Sequence, residues 1–192
     1  VPKLNLESSK NNIIQIGYIC GPKSFKYIHF SIKTILKTVS HPKRIEILIG
    51  NNCTDCDFSI FNEFKNKFYA VRIHNTHSNK VHPSHNHGEA FDKLFWKYFD
   101  KKYGMIADSD IAFLKKKWDI HLINLLNSNS KIAIVGTGNP INYAKFQKFP
   151  SVFCSIFKTD ILKKCNITWK PWMYDINNSK YVYNERISSK LF

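Results

Sequence analysis

The sequence predicts an α/β fold with a mostly parallel central sheet flanked by helices on both faces. Short β-branched runs alternate four times with apolar stripes at helical spacing. Such alternation requires crossover connections between parallel strands. The chain has 192 residues, which is enough for one well-buried core and short for two. We therefore expect a single domain over residues 1–192, with truncation or a place in a longer protein left open.

Three strand-like runs predict the first half of the sheet. Ile13 to Cys20 is a buried apolar run, and the turn residues Gly21-Pro22 follow it. A helical stripe then begins after Ser24, a residue type that favours the helix N-cap. Ile45 to Ile49 and Tyr69 to His74 predict the second and third strands. Between these two strands, regularly spaced phenylalanines indicate a second helix: Phe58, Phe61, Phe64 and Phe68.

The second half continues the same alternation before the pattern loosens. Its predicted elements, in order, are a helix at Phe91 to Phe99, a strand at Tyr103 to Ala107, a helix from Trp118 to Leu126, a strand at Lys131 to Val135, a loop at Asn139 to Pro150, a strand at Ser151 to Phe157 and a helix at Thr159 to Cys165. Ligands of such sheets bind beyond the carboxyl ends of the strands. Cys20, Asn51 and Asp108 all follow predicted strands, so we expect them at one edge.

The charge and the distribution of apolar residues argue against a nucleic-acid-binding protein and against a membrane span. The net charge of +15 suggests a nucleic-acid partner, but the sequence holds only three arginines and its lysines are scattered from Lys3 to Lys190. Nucleic-acid recognition favours arginine forks, so we attribute the charge mainly to compositional bias. No run approaches the ~20 apolar residues that a membrane span needs. We expect a cytoplasmic protein with no membrane span and no nucleic-acid partner.

Two carboxylates, Asp108 and Asp110, directly follow the predicted strand at Tyr103 to Ala107. Like charges this close repel, so a positive group is expected between or beside them. A hard divalent cation such as Mn²⁺ or Mg²⁺ takes one or two carboxylates together with substrate phosphates. The position of Asp108-Ser109-Asp110 at a strand end therefore predicts a metal site that faces a diphosphate.

Three motifs follow one another in the chain: Gly50 to Asp55, Asn86-His87-Gly88 and Asp108-Ser109-Asp110. With these motifs the chain resembles, over residues 13 to 165, the family 2-type glycosyltransferases with the GT-A fold, notably a bacterial and viral subgroup. Gly50 to Asp55 stands where such enzymes carry an acidic segment after the second strand, and Asn86-His87-Gly88 matches their Asn-x-Gly. Asp108-Ser109-Asp110 follows Gly88 by 20 positions, close to the interval usual in the family. The joint order and spacing of these motifs carries the resemblance.

The resemblance implies transfer of a sugar from a nucleoside-diphosphate sugar, with a UDP-sugar favoured, to a hydroxyl acceptor such as a glycan. It implies that Asp110 ligates the metal and that Asp108 contacts the metal or the ribose. Asn51 stands where the family commonly has a base-recognising acid, so the choice of base stays open. Tyr18 and Cys20 would line the base and ribose from the first strand, and the resemblance places two further nucleotide contacts in a loop: Asn86 and His87.

An inverting transfer also needs a carboxylate that removes the acceptor proton. In the resembling families this acid lies downstream of the metal motif, which leaves three possibilities here: Asp160, Asp175 and Glu185. We favour Asp175, because it follows aromatic residues able to stack on a sugar. Such a group of aromatic residues more often packs in a core, which is the interpretation we prefer to an acceptor platform: Trp169, Trp172 and Tyr174.

Two further groups resemble metal sites by composition. Five histidines fall within fourteen residues, from His74 to His87, and we interpret them as a solvated or substrate-facing loop. Cys53 and Cys56 form a C-x-x-C pair, but a lone pair lacks the other ligands of a tetrahedral zinc site. We therefore predict no zinc at either group.

Three alternative functions remain. A nucleotidyltransferase would share the sheet, but Gly21-Pro22-Lys23-Ser24 is a poor match to its glycine-rich loop. A basic nucleic-acid-binding module would explain the charge but not the paired carboxylates at a strand end. A non-catalytic GT-A domain that only binds a nucleotide is compatible with Asn51 in place of an acid.

Overall fold

The computed structural model of the chain describes residues 13–54, 56–78, 83–136, 154–170, 173–175 and 180–182. These residues form a six-stranded sheet, a two-stranded sheet and four α-helices. In chain order the elements are β1 (Ile14–Cys20), α1 (Phe25–Thr38), a 3-10 turn (Pro42–Arg44), β2 (Ile45–Asn51), a 3-10 helix (Phe58–Phe64), β3 (Ala70–Asn75), α2 (Pro83–Tyr98), β4 (Tyr103–Ala107), α3 (Trp118–Asn127), β5 (Ile134–Gly136), β6 (Cys154–Lys158), α4 (Thr159–Lys164), β7 (Met173–Asp175) and β8 (Lys180–Val182).

The six-stranded sheet has the order β3-β2-β1-β4-β6-β5 and is mostly parallel, as expected. Its first four strands pair in parallel, whereas β6 runs antiparallel to both β4 and β5. Parallel strands end on the same side, so the residues that follow β1, β2, β3 and β4 meet along one side of the sheet. We call this side the carboxyl edge.

Both faces of the sheet are covered, because side chains of a strand point alternately to opposite faces. In β1, Ile14, Ile16 and Tyr18 pack in a core with buried residues of α1 and α3. Ile19 packs instead in a second core with buried residues of α2 and α4. This arrangement confirms the predicted three layers of helices, sheet and helices.

The phenylalanine-rich segment forms a 3-10 helix at Phe58–Phe64, where the sequence predicted an ordinary helix. Phe58, Phe61 and Phe64 are spaced by three residues, which matches the three residues per turn of a 3-10 helix. Phe61 and Phe64 are fully buried in the core beneath α1. The spacing that suggested a helix thus encodes the tighter form.

α2 begins at Pro83, earlier than the apolar stripe from Phe91 indicated. Proline is well suited to the first turn of a helix, because it has no backbone N–H to satisfy and its φ is already helical. Asn86 and His87 consequently lie in the first turns of α2, which corrects their expected position in a loop.

The later part of the sheet differs from expectation in detail. β5 begins at Ile134, because an Asn129 turn precedes it: the Asn129 carbonyl and side chain accept the backbone N–H groups of Ile132 at 3.1 Å and Lys131 at 2.9 Å. β7 and β8 form an antiparallel pair where the sequence predicted no element. The predicted loop at Asn139 to Pro150 lies outside the described residues. No helix among the described residues is long and apolar enough to cross a membrane.

Candidate functional site

Three polar strand ends meet at the carboxyl edge. Cys20 and Asn51 are direct partners in the parallel register of β1 and β2. In the register of β1 with β4, Gly17 is the partner of Ile106, so Asp108 comes level with the end of β1. The predicted convergence of Cys20, Asn51 and Asp108 at one edge is confirmed.

Asp108 faces the first turns of α2. Its Oδ1 atom lies 3.5 Å from the Nε2 atom of His87, and the two side chains are 29% and 41% exposed. The pair is therefore open to solvent as well as supported by protein. The structure brings together two of the residues that the sequence singled out, which are 21 positions apart in the chain.

A tight turn carries the second carboxylate. The backbone N–H of Ile111 donates to the Asp108 carbonyl at 3.2 Å, and the N–H of Phe113 donates to Thr34 Oγ1 of α1 at 2.9 Å. The turn is thus fastened to β4 on one side and to α1 on the other, while the Asp110 side chain is exposed. Carboxylate oxygens at an open edge are suitable ligands for a hard divalent cation.

Asn86 connects the first turns of α2 to the segments that follow β2 and β3. Its Oδ1 atom accepts from Asn52 Nδ2, and its Nδ2 group donates to the Ser78 carbonyl at 3.1 Å. Asn52 Oδ1 in turn accepts from the Ser78 N–H at 2.9 Å. This ring of hydrogen bonds ties the ends of β2 and β3 to the first turns of α2. Asn86 is therefore engaged by protein groups, next to His87, and the sequence analysis missed Asn52 and Ser78.

Two of the expected nucleotide contacts have buried side chains. The Tyr18 side chain is completely buried, and its hydroxyl is hydrogen-bonded to Ser31 Oγ of α1 at 2.7 Å. The Cys20 side chain is also completely buried. Strand alternation turns both side chains into the core beneath α1, so contact of Tyr18 and Cys20 with a nucleotide stays a prediction for their backbone atoms. Asn51 is half-buried, and its Oδ1 atom accepts from the Cys53 N–H at 3.0 Å.

Asp160 is removed as an alternative acceptor base. It lies in the first turn of α4, directly after β6. Because β6 is antiparallel, its last residue Lys158 is the partner of Tyr103, the first residue of β4. Five residues of strand, or about 17 Å, therefore separate the start of α4 from Asp108 along the sheet.

The Asp175 backbone pairs with Lys180 between β7 and β8, and its side chain lies outside the described part of the chain. Its assignment as the base stays a prediction. Glu185 and Trp172 lie outside the described residues, and Tyr174 is described only as backbone in β7.

Trp169 belongs to the core. Its ring centroid lies 5.8 Å from that of Phe95 and 5.7 Å from that of Phe157, at the α2 face of the sheet. Of the two interpretations of the aromatic residues, packing in the core holds for Trp169.

His74 and His87 make contacts in different parts of the structure. His74 stacks on Tyr98 with ring centroids 3.6 Å apart, and burial lowers its pKa, whereas His87 approaches Asp108. His82 and the side chain of His85 lie outside the described part of the chain. Among the described side chains, no histidine belongs to a group arranged to hold a metal ion.

Cys154 adds a thiol beside the paired carboxylates. It is the antiparallel partner of Ala107, the residue before Asp108. Burial, followed by the negative charge of Asp108, raises the pKa of Cys154 to about 11. The thiol is therefore neutral at physiological pH. Sequence reasoning missed this residue, because only the antiparallel pairing of β6 brings it to the site.

No family model matches the sequence, and no curated protein matches it. Solved structures match its fold. Mannosyltransferase PcManGT from Pyrobaculum calidifontis, in complex with GDP-Man and Mn²⁺, has a TM-score of 0.61 at 11% identity, over 79% of this chain and 46% of that chain. S. aureus TarS 1-349, in complex with UDP-GlcNAc, has a TM-score of 0.55 at 16% identity, over 81% and 48%.

Galactosyltransferase LgtC, in complex with donor and acceptor sugar analogs, has a TM-score of 0.56 at 12% identity, over 78% of this chain and 59% of that chain. The chain thus spans about half the length of these solved structures. The chain has the GT-A fold of the glycosyltransferases that its sequence resembles.

Proposed function

We propose that this chain is the donor-binding part of a metal-dependent glycosyltransferase, which moves a sugar from a nucleoside-diphosphate sugar to a hydroxyl acceptor. The observation that carries the proposal is the placement of Asp108-Ser109-Asp110 in an anchored turn at the carboxyl edge, beside His87. Solved structures of the same fold are complexes with GDP-Man and Mn²⁺ and with UDP-GlcNAc, which supports both a nucleotide-sugar donor and a divalent metal.

The residues at the turn fit a hard divalent cation. Asp108 and Asp110 supply carboxylate oxygens that are open to solvent, and such oxygens suit Mn²⁺ and Mg²⁺. The cation, when bound, supplies positive charge that stabilises the departing diphosphate. Asp108 and Asp110 are the residues that we assign to hold it.

The remaining residues of the edge position these groups. β4 fixes Asp108, and the ring formed by Asn52, Asn86 and Ser78 fixes the first turns of α2 that present His87. His87 Nε2 is near enough to Asp108 to orient its carboxylate, and we propose that it also faces the diphosphate. Asn51 follows β2 at the level of Cys20, which supports a role beside the nucleoside.

A ligand screen tests this function directly. The thermal midpoint of the chain is measured with nucleoside diphosphates and their sugars, each with and without Mn²⁺. Because a ligand that binds only the folded state raises its stability, we expect one nucleotide to raise the midpoint only when metal is present. Stabilisation by generic DNA that weakens with salt, without any response to nucleotides, would instead support the nucleic-acid-binding alternative.

Asp175→Asn tests the proposed acceptor base. The substitution keeps the shape of the side chain but removes its ability to take a proton, so we expect transfer to acceptor to fall by about 10² to 10⁴-fold. Nucleotide and metal binding should not change. Transfer by this variant at the wild-type rate contradicts the assignment. Binding without transfer in the wild type as well would indicate the non-catalytic alternative.

A further inference from the structure

We propose that Cys20, Cys53 and Cys56 form a second metal site, which binds Zn²⁺ or a similar thiophilic cation when all three cysteines are reduced. The three Sγ atoms all lie within 4.8 Å of one another. The proposal does not depend on the glycosyltransferase function, because none of these residues belongs to the carboxylate turn.

The fold brings the third cysteine to the other two. Cys20 is the last residue of β1 and is paired with Asn51, the last residue of β2. The chain stays beside β1 for one more residue, because the Asn52 N–H donates to the Cys20 carbonyl at 2.9 Å. Cys53 therefore follows β2 at the level of Cys20. The missing ligand of the C-x-x-C pair comes from a neighbouring strand rather than from a second sequence motif.

The spacing of the sulfurs suits a tetrahedral cation. Zinc–thiolate bonds are about 2.3 Å long, so two sulfurs on one tetrahedral zinc are about 3.8 Å apart. Cys20 Sγ already lies within 4.8 Å of the other two sulfurs. The Cys53 and Cys56 sulfurs are bonded to each other in the structure, so they must separate to about 3.8 Å once the disulfide is reduced. Three protein ligands leave the fourth position for water or another small ligand.

Burial makes the cation the natural partner of these thiolates. Cys20 is completely buried, Cys53 is 7% exposed and Cys56 is half-buried. An isolated thiolate buried in this way would be costly, because its charge would be removed from water without a partner. A divalent cation removes that cost for all three sulfurs together. The described side chains contain no other group of three residues arranged in this way.

The site has two mutually exclusive states. Cys53 and Cys56 are joined by a disulfide in the structure, while Cys20 is a free thiol. A dithiol or phosphine reductant converts that disulfide into two thiols and is itself oxidised. Zn²⁺ then displaces one proton from each thiol and forms three Zn–S bonds. In the oxidised state only the Cys20 thiol remains at this place, so the three-sulfur site does not form.

The test compares metal binding by the reduced and the oxidised chain. Protein is reduced with a phosphine, cleared of metal with a chelator that is then removed, and titrated with Co²⁺ as a spectroscopic probe and with Zn²⁺ as competitor. We expect a thiolate-to-cobalt absorption band that Zn²⁺ abolishes, with about one Zn²⁺ bound per chain by elemental analysis. The oxidised chain should show no band.

Cys20→Ser and Cys56→Ser should each weaken Zn²⁺ binding by at least about tenfold, because each removes one of three ligands. Cys165→Ser is the matched control, since Cys165 packs in the core on the opposite face of the sheet and should bind as the wild type does. Circular dichroism establishes that each variant is folded, and Cys56→Ser carries the test if the buried Cys20→Ser variant is not. Absence of the cobalt band in the reduced wild type, an equal band in the oxidised chain, or unchanged affinity in the folded variants overturns the proposal.

Discussion

Asp110→Ala is expected to abolish metal-dependent nucleotide binding. The exposed Asp110 carboxylate lies in the turn that Ile111 and Phe113 anchor to β4 and α1, and alanine offers no ligand atom. We expect the affinity for the nucleoside diphosphate in the presence of Mn²⁺ to fall at least about tenfold, which corresponds to about 1.4 kcal/mol. Isothermal titration of UDP and GDP, with Mn²⁺ and with chelator, measures the effect.

The matched control for this substitution is Lys116→Ala. Lys116 lies in the same connection between β4 and α3, and its side chain is exposed. The substitution removes a charge near the turn without removing a proposed ligand, so we expect little change in the affinity for the nucleotide. Equal affinity of the wild type with and without chelator would contradict a metal site at Asp108 and Asp110.

Gly88→Ala is expected to destabilise the packing of the chain against α2. A Cβ atom at Gly88 would lie 2.6 Å from the Trp169 carbonyl oxygen and 2.8 Å from the Lys170 Cα atom. These are backbone atoms and cannot rotate away. One turn further along α2, Asp92 accepts from the Trp169 N–H at 2.7 Å and from Thr168 Oγ1 at 2.6 Å. The segment at residues 168–170 is thus held directly against the helix.

Two effects of the Gly88 substitution oppose each other. Alanine favours a helix over glycine by about 1 kcal/mol, whereas forced contacts in a packed interior cost about 1–3 kcal/mol. We expect the second effect to be larger, so that the free energy of unfolding falls by up to about 2 kcal/mol. Chemical denaturation followed by tryptophan fluorescence measures the change, because displacement of the segment moves Trp169 out of the core.

Gly21→Ala is the control for the loss of a glycine at the carboxyl edge. A Cβ atom there meets only Ser24 Oγ, at 3.9 Å, which is an ordinary contact. We expect its stability to stay within about 0.5 kcal/mol of the wild type. If Gly88→Ala is as stable as the wild type, the segment does not pack against α2 in solution as it does in the structure.

The Asn-x-Gly motif gains a physical explanation from these contacts. Asn86 links the first turns of α2 to the loops after β2 and β3, and Gly88 allows the chain at Trp169 to cross the same turns closely. His87, between them, points its Nε2 atom toward Asp108. The motif therefore supports the proposed donor site by positioning His87 from both sides.

The sequence by itself determined the local elements and their order. The strand at Tyr103–Ala107 was predicted with the bounds that the structure has, and Asp108 was correctly expected at the edge shared with Cys20 and Asn51. Local periodicity and turn residues encode a strand or helix within a few residues. The parallel alternation then allows only a shared carboxyl edge for those strand ends.

The tertiary structure alone decided which side chains reach the site. Strand alternation and the packing of α1 bury Tyr18. Because β6 is antiparallel to β4, Cys154 lies beside the end of β4 that precedes Asp108, and Asp160 lies near the opposite end of that strand. The register of β1 with β2 brings Cys20 to the C-x-x-C pair. These contacts join residues that are distant in sequence, so they follow from strand order and register, which no local pattern of residues records.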